Sequence, residues 1–445
     1  MPQVFPFRAV QFTSGPDLSA VVAPPYDVLD VKGKEQLLGR SAANIVGVDL
    51  PHVPPKELGP ASSYEAAGHQ FRQMIESGQL ARRGKPAIFA YRQTFEFEGG
   101  THQRCGMAAT VDAVAFGTRD GGGILPHEET FSGPKEDRLA LMNATKAQLS
   151  PIFGLHADES GAATKLVRSV MASRKPDLTA RMDYDKVLHE VWVIEDEVTI
   201  GAYQKALAGE DIFIADGHHR YNTQLNYLKQ LEGKGAVAGD HPARKCMMVL
   251  IGMSDPGLVI GPTHRVLGGM KGYSLEAFRA AAADYLKFEA VAGDANALNA
   301  ALKASKTENS IGLYDFATKQ GFIVTPVKAD PLAQQFASKP REWRTLDVAI
   351  IQYLIVEGIC QPKLNGGEAV KWAFPHSVAE VLEIAKGSET GAGGGKGFVP
   401  QVALIVKPTP LSAVRAVSRA NELMPQKSTF FYPKLATGLF VNPLE

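Results

Sequence analysis

Apolar residues along this chain recur at strand and helix spacings in turn, from one end to the other. Asp211-Ile212-Phe213-Ile214-Ala215 is short, apolar and β-branched, which predicts a buried strand. Tyr221, Leu225, Leu228 and Leu231 follow at helical spacing. Between them, Asp216-Gly217 predicts a tight strand-to-helix turn. Elsewhere the pattern predicts helices over 64–80, 139–148, 274–286, 346–359 and 411–423. Strands are expected over 21–28, leading into Pro24-Pro25, and over 87–91, 104–116, 191–194 and 401–407. Glu98-Gly99-Gly100 marks a hairpin, 310–327 a second, and 245–253 with 258–267 a strand pair around Ser254–Gly257. The fold class is α/β, or α+β mixed. Three regions are expected: 1–120, 121–270 and 271–445.

Composition narrows the class of protein. The chain has 445 residues, 45% hydrophobic and 21% charged, enough for two or three domains. Lys+Arg and Asp+Glu are both 47, so no global basic field argues for nucleic acid. Met1 to Val10 lacks the apolar core of a signal peptide, and no uninterrupted apolar run has membrane-spanning length. Cys105, Cys246 and Cys360 are far apart and form no CxxC pair. The expectation is a cytoplasmic protein with no membrane and no nucleic-acid partner.

The candidate chemistry lies at Asp216-Gly217-His218-His219-Arg220. A helix start exposes backbone N–H groups and the positive pole of the helix dipole. Cations there oppose the dipole by a few tenths of a kcal/mol or more, so an anion is expected to offset them. Phosphate fits best, with Gly217, His218, His219 and Arg220 as its ligands. Adjacent side chains diverge by about 100° on a helix, so His218 and His219 are poor joint ligands for a metal. Gly391–Gly397 fails as a P-loop, because its glycine spacing is one short and Gly397 stands where Ser or Thr is needed. It reads as a mobile loop. His127-Glu128-Glu129-Thr130 has no second histidine at zinc-protease spacing. That run, with Lys135 to Arg138, is either a solvated loop and helix cap or part of a site. Thr263-His264-Arg265 is either a surface strand edge or a ligand contact at a strand end. Pro24-Pro25-Tyr26-Asp27 is either a turn or part of a site.

The pairing of Leu125-Pro126-His127-Glu128-Glu129 with the later Asp216–Arg220 turn resembles the free-serine kinases of the ParB/sulfiredoxin superfamily, the SerK and SbnI type. Pro151-Ile152 resembles theirs too. Nearly the whole chain resembles the larger family ten-fifteen of domains of unknown function, often labelled ParB-like. Its marks are Pro24–Val28, His127–Thr130 with Gly133–Arg138, Ala215–Tyr221 and Pro425–Lys434. The resemblance implies a ParB/sulfiredoxin-like central domain with added N- and C-terminal α/β regions. It also implies a kinase that uses ATP or ADP with Mg2+ to phosphorylate a small hydroxy amino acid, free L-serine first. Glu128 is then the base for the acceptor hydroxyl, with Glu129 as second choice. Asp216 would hold that hydroxyl or a magnesium-bound water, and His218 would neutralise charge on the transferring group. Arg265 or Lys135 would bind the substrate carboxylate, and Glu129, Thr263 and His264 are further substrate-binding candidates.

The chain departs from the small kinases in spacing. About ninety residues separate Glu128 from Asp216, so an insertion including 162–197 must be accommodated. It has neither the Arg-rich signature of ParB nor the cysteine of sulfiredoxin. A second reading is a ParB-like nucleotide-binding switch without metabolite kinase activity, which needs the phosphate cradle but no acid at an acceptor. A third is a structural scaffold, which would bind no nucleotide.

Overall fold

Continuous burial from Arg104 to Val111 along Gly100–Asp112 marks a central strand of the first sheet, covered on both faces. Cys105, Met107, Ala109 and Val111 share one face. They pack with Ala163, Val167 and Met171 of helix Ala162–Ser173 and with Ile200 and Tyr203 of helix Glu197–Ala206. The computed structural model describes residues 3–15, 17–55, 57–128, 132–387 and 398–445. Glu129, Thr130 and the Gly391–Gly397 run lie outside them. Among the described residues no helix is long and apolar enough to cross a membrane.

Two units emerge. The first comprises Met1–Pro126, Thr130–Leu258 and Pro433–Glu445, the second His127–Glu129 and Val259–Tyr432. The first unit holds a nine-stranded sheet. Its path runs through Ile124–Leu125, Ile212–Asp216, Ile152–His156, Lys245–Gly252, Gly100–Asp112, Ile88–Phe97, Leu188–Ile194 and Leu178–Arg181, and the ninth strand, Val4–Phe5, pairs with Gly100–Asp112 off this path. Pairing is mixed: Ile212–Asp216 runs parallel to Ile124–Leu125 and antiparallel to Ile152–His156. Gly100–Asp112 and Ile88–Phe97, from 1–120, thus lie between strands from 121–270, and the division expected at residue 120 runs through the sheet. The insertion between 162 and 197 supplies one helix and the two strands at the far edge. The C-terminal segment returns to this unit, where Phe440 packs on Phe89 and Asn442–Pro443 pairs with Ala147–Gln148.

The second unit holds a six-stranded antiparallel sheet: Leu286–Val291, Gly321–Pro326, Ile311–Asp315, Pro400–Ile405, Arg265–Gly268 and Lys371–Ala373. Alternate residues face opposite cores. Leu313, Val402 and Leu404 join Phe278 and Ile355, whereas Tyr314, Ala403 and Ile405 join Leu298 and Val381. Both faces are therefore covered.

Two local expectations fail for physical reasons. Residues 21–28 do not form a strand, because Pro24 and Pro25 lack the N–H a ladder needs. Only Ala23 bridges, to Thr437, and Tyr26–Val28 closes a 3₁₀ turn. Residues 258–267 do not pair with 245–253. Both edges of Lys245–Gly252 are already taken, by Gly100–Asp112 and Ile152–His156. Val259–Gly261 pairs instead with Phe430–Tyr432.

Candidate functional site

Gly217 ends the strand Ile212–Asp216 and caps the 17-residue helix His218–Lys234. Its φ is +95°, a left-handed conformation that glycine adopts without strain. A Cβ there would also stand 3.1 Å from the Arg220 guanidinium. As a glycine, the N-cap residue itself brings no side chain to this helix start. The first ladder bond runs from Tyr221 N to Gly217 O, so the N–H groups of His218, His219 and Arg220 precede the ladder.

Asp216 is held by two cations. Lys434 Nζ lies 2.5 Å from Oδ1 and Arg220 Nη2 lies 2.6 Å from Oδ2. Burial alone would raise the Asp216 pKa, but Lys434, Arg220 and His218 together hold it well below the usual carboxylate range. Burial would lower the Lys434 pKa, and Asp216 and Asp27 more than reverse this. Arg220 also donates Nη1 to the Pro151 carbonyl, tying the helix start to the neighbouring strand. The anion that the cationic helix start calls for is thus in part the protein's own Asp216.

Lys434 is placed by the sheet. Gln93 Nε2 donates to its carbonyl at 2.8 Å, and buried Arg104 donates to the Pro433 carbonyl. Arg104 lies over the Phe153 ring at 4.5 Å, and burial lowers its pKa to about 10.

A second cluster adjoins Arg220 in the same unit. Arg138 pairs with Asp137 at 2.8 Å and with Asp49 at 3.5 Å, and its guanidinium lies 3.9 Å from the Tyr26 ring centroid. Asp137 in turn accepts from Tyr64 and contacts His52. Burial raises the Asp49 pKa, and Arg138, Arg220 and a hydrogen bond from Ser150 oppose it. A cavity of about 40 Å³ is lined by Tyr26, Asp49, Arg138, Ser150, Arg220 and Thr223, with Gln148 and otherwise apolar residues.

The sequence candidates divide between the units. Asp216, Gly217, His218, His219 and Arg220 come together as expected, though His218 is only 6% exposed. Lys135 is half-buried in the first unit's helix Ser132–Thr145. Glu128 belongs to the second unit, where Oε1 accepts from Ser428 N at 3.2 Å and the residue bridges to Met424. Beside it, His127 Nε2 meets Thr429 Oγ1 at 2.8 Å.

Thr263, His264 and Arg265 are buried rather than a surface edge. Arg265 donates to the carbonyls of Thr263, Gln426 and Lys427, and burial lowers its pKa to about 10 against the pull of Glu128. His264 Nδ1 accepts from Val406 N at 3.1 Å. These bonds give the triad a structural task, holding the 426–428 turn and a strand end.

Sequence reasoning missed Lys434 and Asp49 as site residues and left Arg138, Tyr26 and Asp27 open between a site and a cap or turn. Signals existed for four of them. Lys434 closes the Pro425–Lys434 motif, Arg138 closes Gly133–Arg138, and Tyr26-Asp27 follows the Pro-Pro pair. Asp49 carries no comparable mark.

Among the described residues no group of three or more His, Cys, Asp or Glu is arranged to hold a metal. Asp216 has both oxygens committed to cations. These residues do not fit a magnesium ion held by the protein alone.

Several solved structures resemble this chain loosely. A free serine kinase variant in complex with ADP is 12% identical, with a TM-score of 0.34 over 75% of this chain and 95% of its own. A C-terminally truncated SbnI from Staphylococcus aureus is 12% identical, with a TM-score of 0.33 over 72% and 84%. A conserved hypothetical protein from Pyrococcus furiosus is 13% identical, with a TM-score of 0.32 over 74% and 98%. Among curated proteins none matches the sequence. The family model described as "Protein of unknown function (DUF1015)" matches residues 4–349, spanning the Tyr26 turn, the Arg138 helix and the Asp216–Arg220 turn, and the chain belongs to that family.

Proposed function

We propose that the protein is a nucleotide-dependent small-molecule kinase, binding phosphate at the Asp216–Arg220 turn and transferring it to a hydroxyl, with free L-serine as the first acceptor to test. The observation that carries the reading is the left-handed Gly217 turn at the helix start with Lys434 and Arg220 beside it. Phosphoryl transfer depends mainly on positioning and on stabilising charge over the transferred group. The N–H groups after Gly217 and the side chains of His218, His219, Arg220 and Lys434 supply that charge. Asp216 orients the two cations and balances them before a nucleotide arrives. ATP or ADP is the donor. Magnesium would be supplied with the nucleotide rather than held by a protein cage, and would neutralise phosphate charge there. Glu128 is the base for the acceptor hydroxyl, with Glu129 as second choice. The ParB-like switch shares the cradle and differs in having no acceptor. The setting is the cytoplasm.

The test is to incubate purified protein with ATP or ADP, magnesium and a panel of hydroxy amino acids, then read products by mass spectrometry. A phosphorylated amino acid with consumption of the nucleotide is expected. Nucleotide binding in calorimetry without any phosphorylated product would favour the switch, and no nucleotide binding would overturn both.

A further inference from the structure

Two charged groups of opposite sign in the first unit each keep one enclosed atom without a hydrogen-bond partner: Asp27 Oδ1 and Arg138 Nη2. Such orphans are costly, more so when charged. They are neighbours through Tyr26. Asp27 follows it in the chain, and Arg138 lies on its ring at 3.9 Å. Tyr26 and Asp49 both feel the charges of Asp27, Arg138 and Arg220.

We infer that Asp27 and Arg138 are a recognition pair for the ammonium and carboxylate of a free α-amino acid. The inference rests on the kinase reading and assigns residues to its acceptor. Arg138 offers a donor in a side chain that is 6% exposed, on the wall of the 40 Å³ cavity. At about 10–15 Å³ for each water-sized group, that space takes roughly three, the heavy-atom count of a carboxylate. Ser150 and Thr223 put hydroxyl groups on the same wall.

Charge decides between a zwitterion and a simple anion. Arg138 is already flanked by Asp137 and Asp49, and Asp27 adds a third carboxylate beside Tyr26. A lone anion would face all three, against Arg138 and Arg220 on the cavity wall. A ligand with an ammonium meets Asp27 Oδ1 while its carboxylate meets Arg138 Nη2, and the net charge of the cluster does not change. Lys434 does not fill the ammonium's place, because its Nζ is taken by Asp216 and Asp27 Oδ1 is left without a bond.

The experiment uses the full chain and three ligands with the same hydroxyl: L-serine, glycerate without the amine, and ethanolamine without the carboxylate. Calorimetry without nucleotide is expected to show serine binding at least tenfold tighter than either analogue. Asp27→Asn, which keeps shape, is expected to lose tenfold or more in serine affinity. Nucleotide affinity should stay within a few-fold. Equal binding of serine and glycerate, or of serine and ethanolamine, overturns the pair, as does unchanged serine affinity in Asp27→Asn. No binding of any of the three, with only structural water filling the cavity, overturns it too. Nucleotide titration and product analysis on the same preparation report the kinase reading separately. Phosphate transfer without zwitterion discrimination would leave that reading standing and remove this inference.

Discussion

Lys434 Nζ sits 2.5 Å from Asp216 Oδ1, although 218 residues separate the two along the chain. The pair joins the last segment of the first unit to the strand end that opens the candidate site. Its partner groups differ in what they lose when the pair breaks. Asp216 keeps Arg220 in direct contact, whereas Lys434 loses its ion-pair contact with Asp216 and still feels the charge of Asp27.

Lys434→Met is therefore expected to destabilise the protein by about 3 kcal/mol, the low end for breaking one partner out of a buried pair, because Arg220 stays on Asp216. Nucleotide affinity should fall at least tenfold, since a charge-assisted bond to phosphate contributes roughly 1.5–3 kcal/mol. Denaturant unfolding and calorimetry on one preparation measure both. Unchanged nucleotide affinity would take Lys434 out of the site.

The strand, the Gly217 turn and the following helix were legible from local pattern alone, because apolar spacing and a glycine act within a few residues. So were the hairpins around Gly99 and within 310–327. What joined them was not. Lys434 reaches Asp216 only through Gln93 and Arg104, whose task no spacing announces. The burial of Arg265 was not legible either, because a buried arginine and a surface arginine read alike in sequence. The backbone carbonyls of Gln426 and Lys427 that claim it are more than 150 residues away. Strand pairing failed in the same way at 258–267, where the better partner lay far along the chain.

The two histidines of the turn separate function from folding differently than their sequence suggests. Both read as surface ligands, but His218 is buried and helps hold the Asp216 carboxylate ionised. Replacing His218 will cost stability as well as affinity. His219 is half-buried, so His219→Ala is the cleaner probe. It is expected to weaken nucleotide binding roughly 10- to 100-fold, the scale of one charge-assisted bond, with the unfolding midpoint little changed. Calorimetry with ADP, paired with a melting curve, checks it. Equal affinity in wild type and variant would remove His219 from the cradle.

Acid should weaken the fold through histidines outside the site. Burial pushes His156 down to about 4, with Asp158 opposing, and burial with Arg104 pushes His189 down to about 3, both from an ordinary 6.5. A depressed pKa in the folded state means that the unfolded chain binds the proton first. Stability is then fully present above pH 6.5 and is lost as pH falls from there through about 4. The slope is roughly 1.4 kcal/mol per pH unit for each histidine. Asp185, raised to about 6 by burial, acts in the opposite sense between pH 6 and 3.8, so the comparison must be with a variant. His156→Asn with His189→Asn should flatten the profile between pH 6.5 and 4 relative to wild type, read as denaturant midpoint against pH. Parallel profiles would show that neither histidine is buried neutral.

The last prediction concerns Glu128, the acid that the kinase reading needs and the switch does not. Its Oε1 accepts a hydrogen bond from Ser428 N, and its charge supports the buried Arg265. Glu128→Gln keeps an oxygen acceptor for Ser428 and keeps the shape of the side chain, while it removes the proton acceptor. If Glu128 takes the proton from the acceptor hydroxyl, turnover falls by roughly 10²–10⁴, the usual scale for general base catalysis. Nucleotide affinity should stay within a few-fold, because the phosphate ligands all belong to the first unit. A purely structural Glu128 would give another signature: a lower unfolding midpoint with turnover per folded molecule unchanged. Turnover, nucleotide affinity and unfolding are therefore measured together on Glu128→Gln and on Glu129→Gln. Full turnover in both variants would leave the acceptor hydroxyl without a base among the residues assigned to it, and the proposed mechanism would fall.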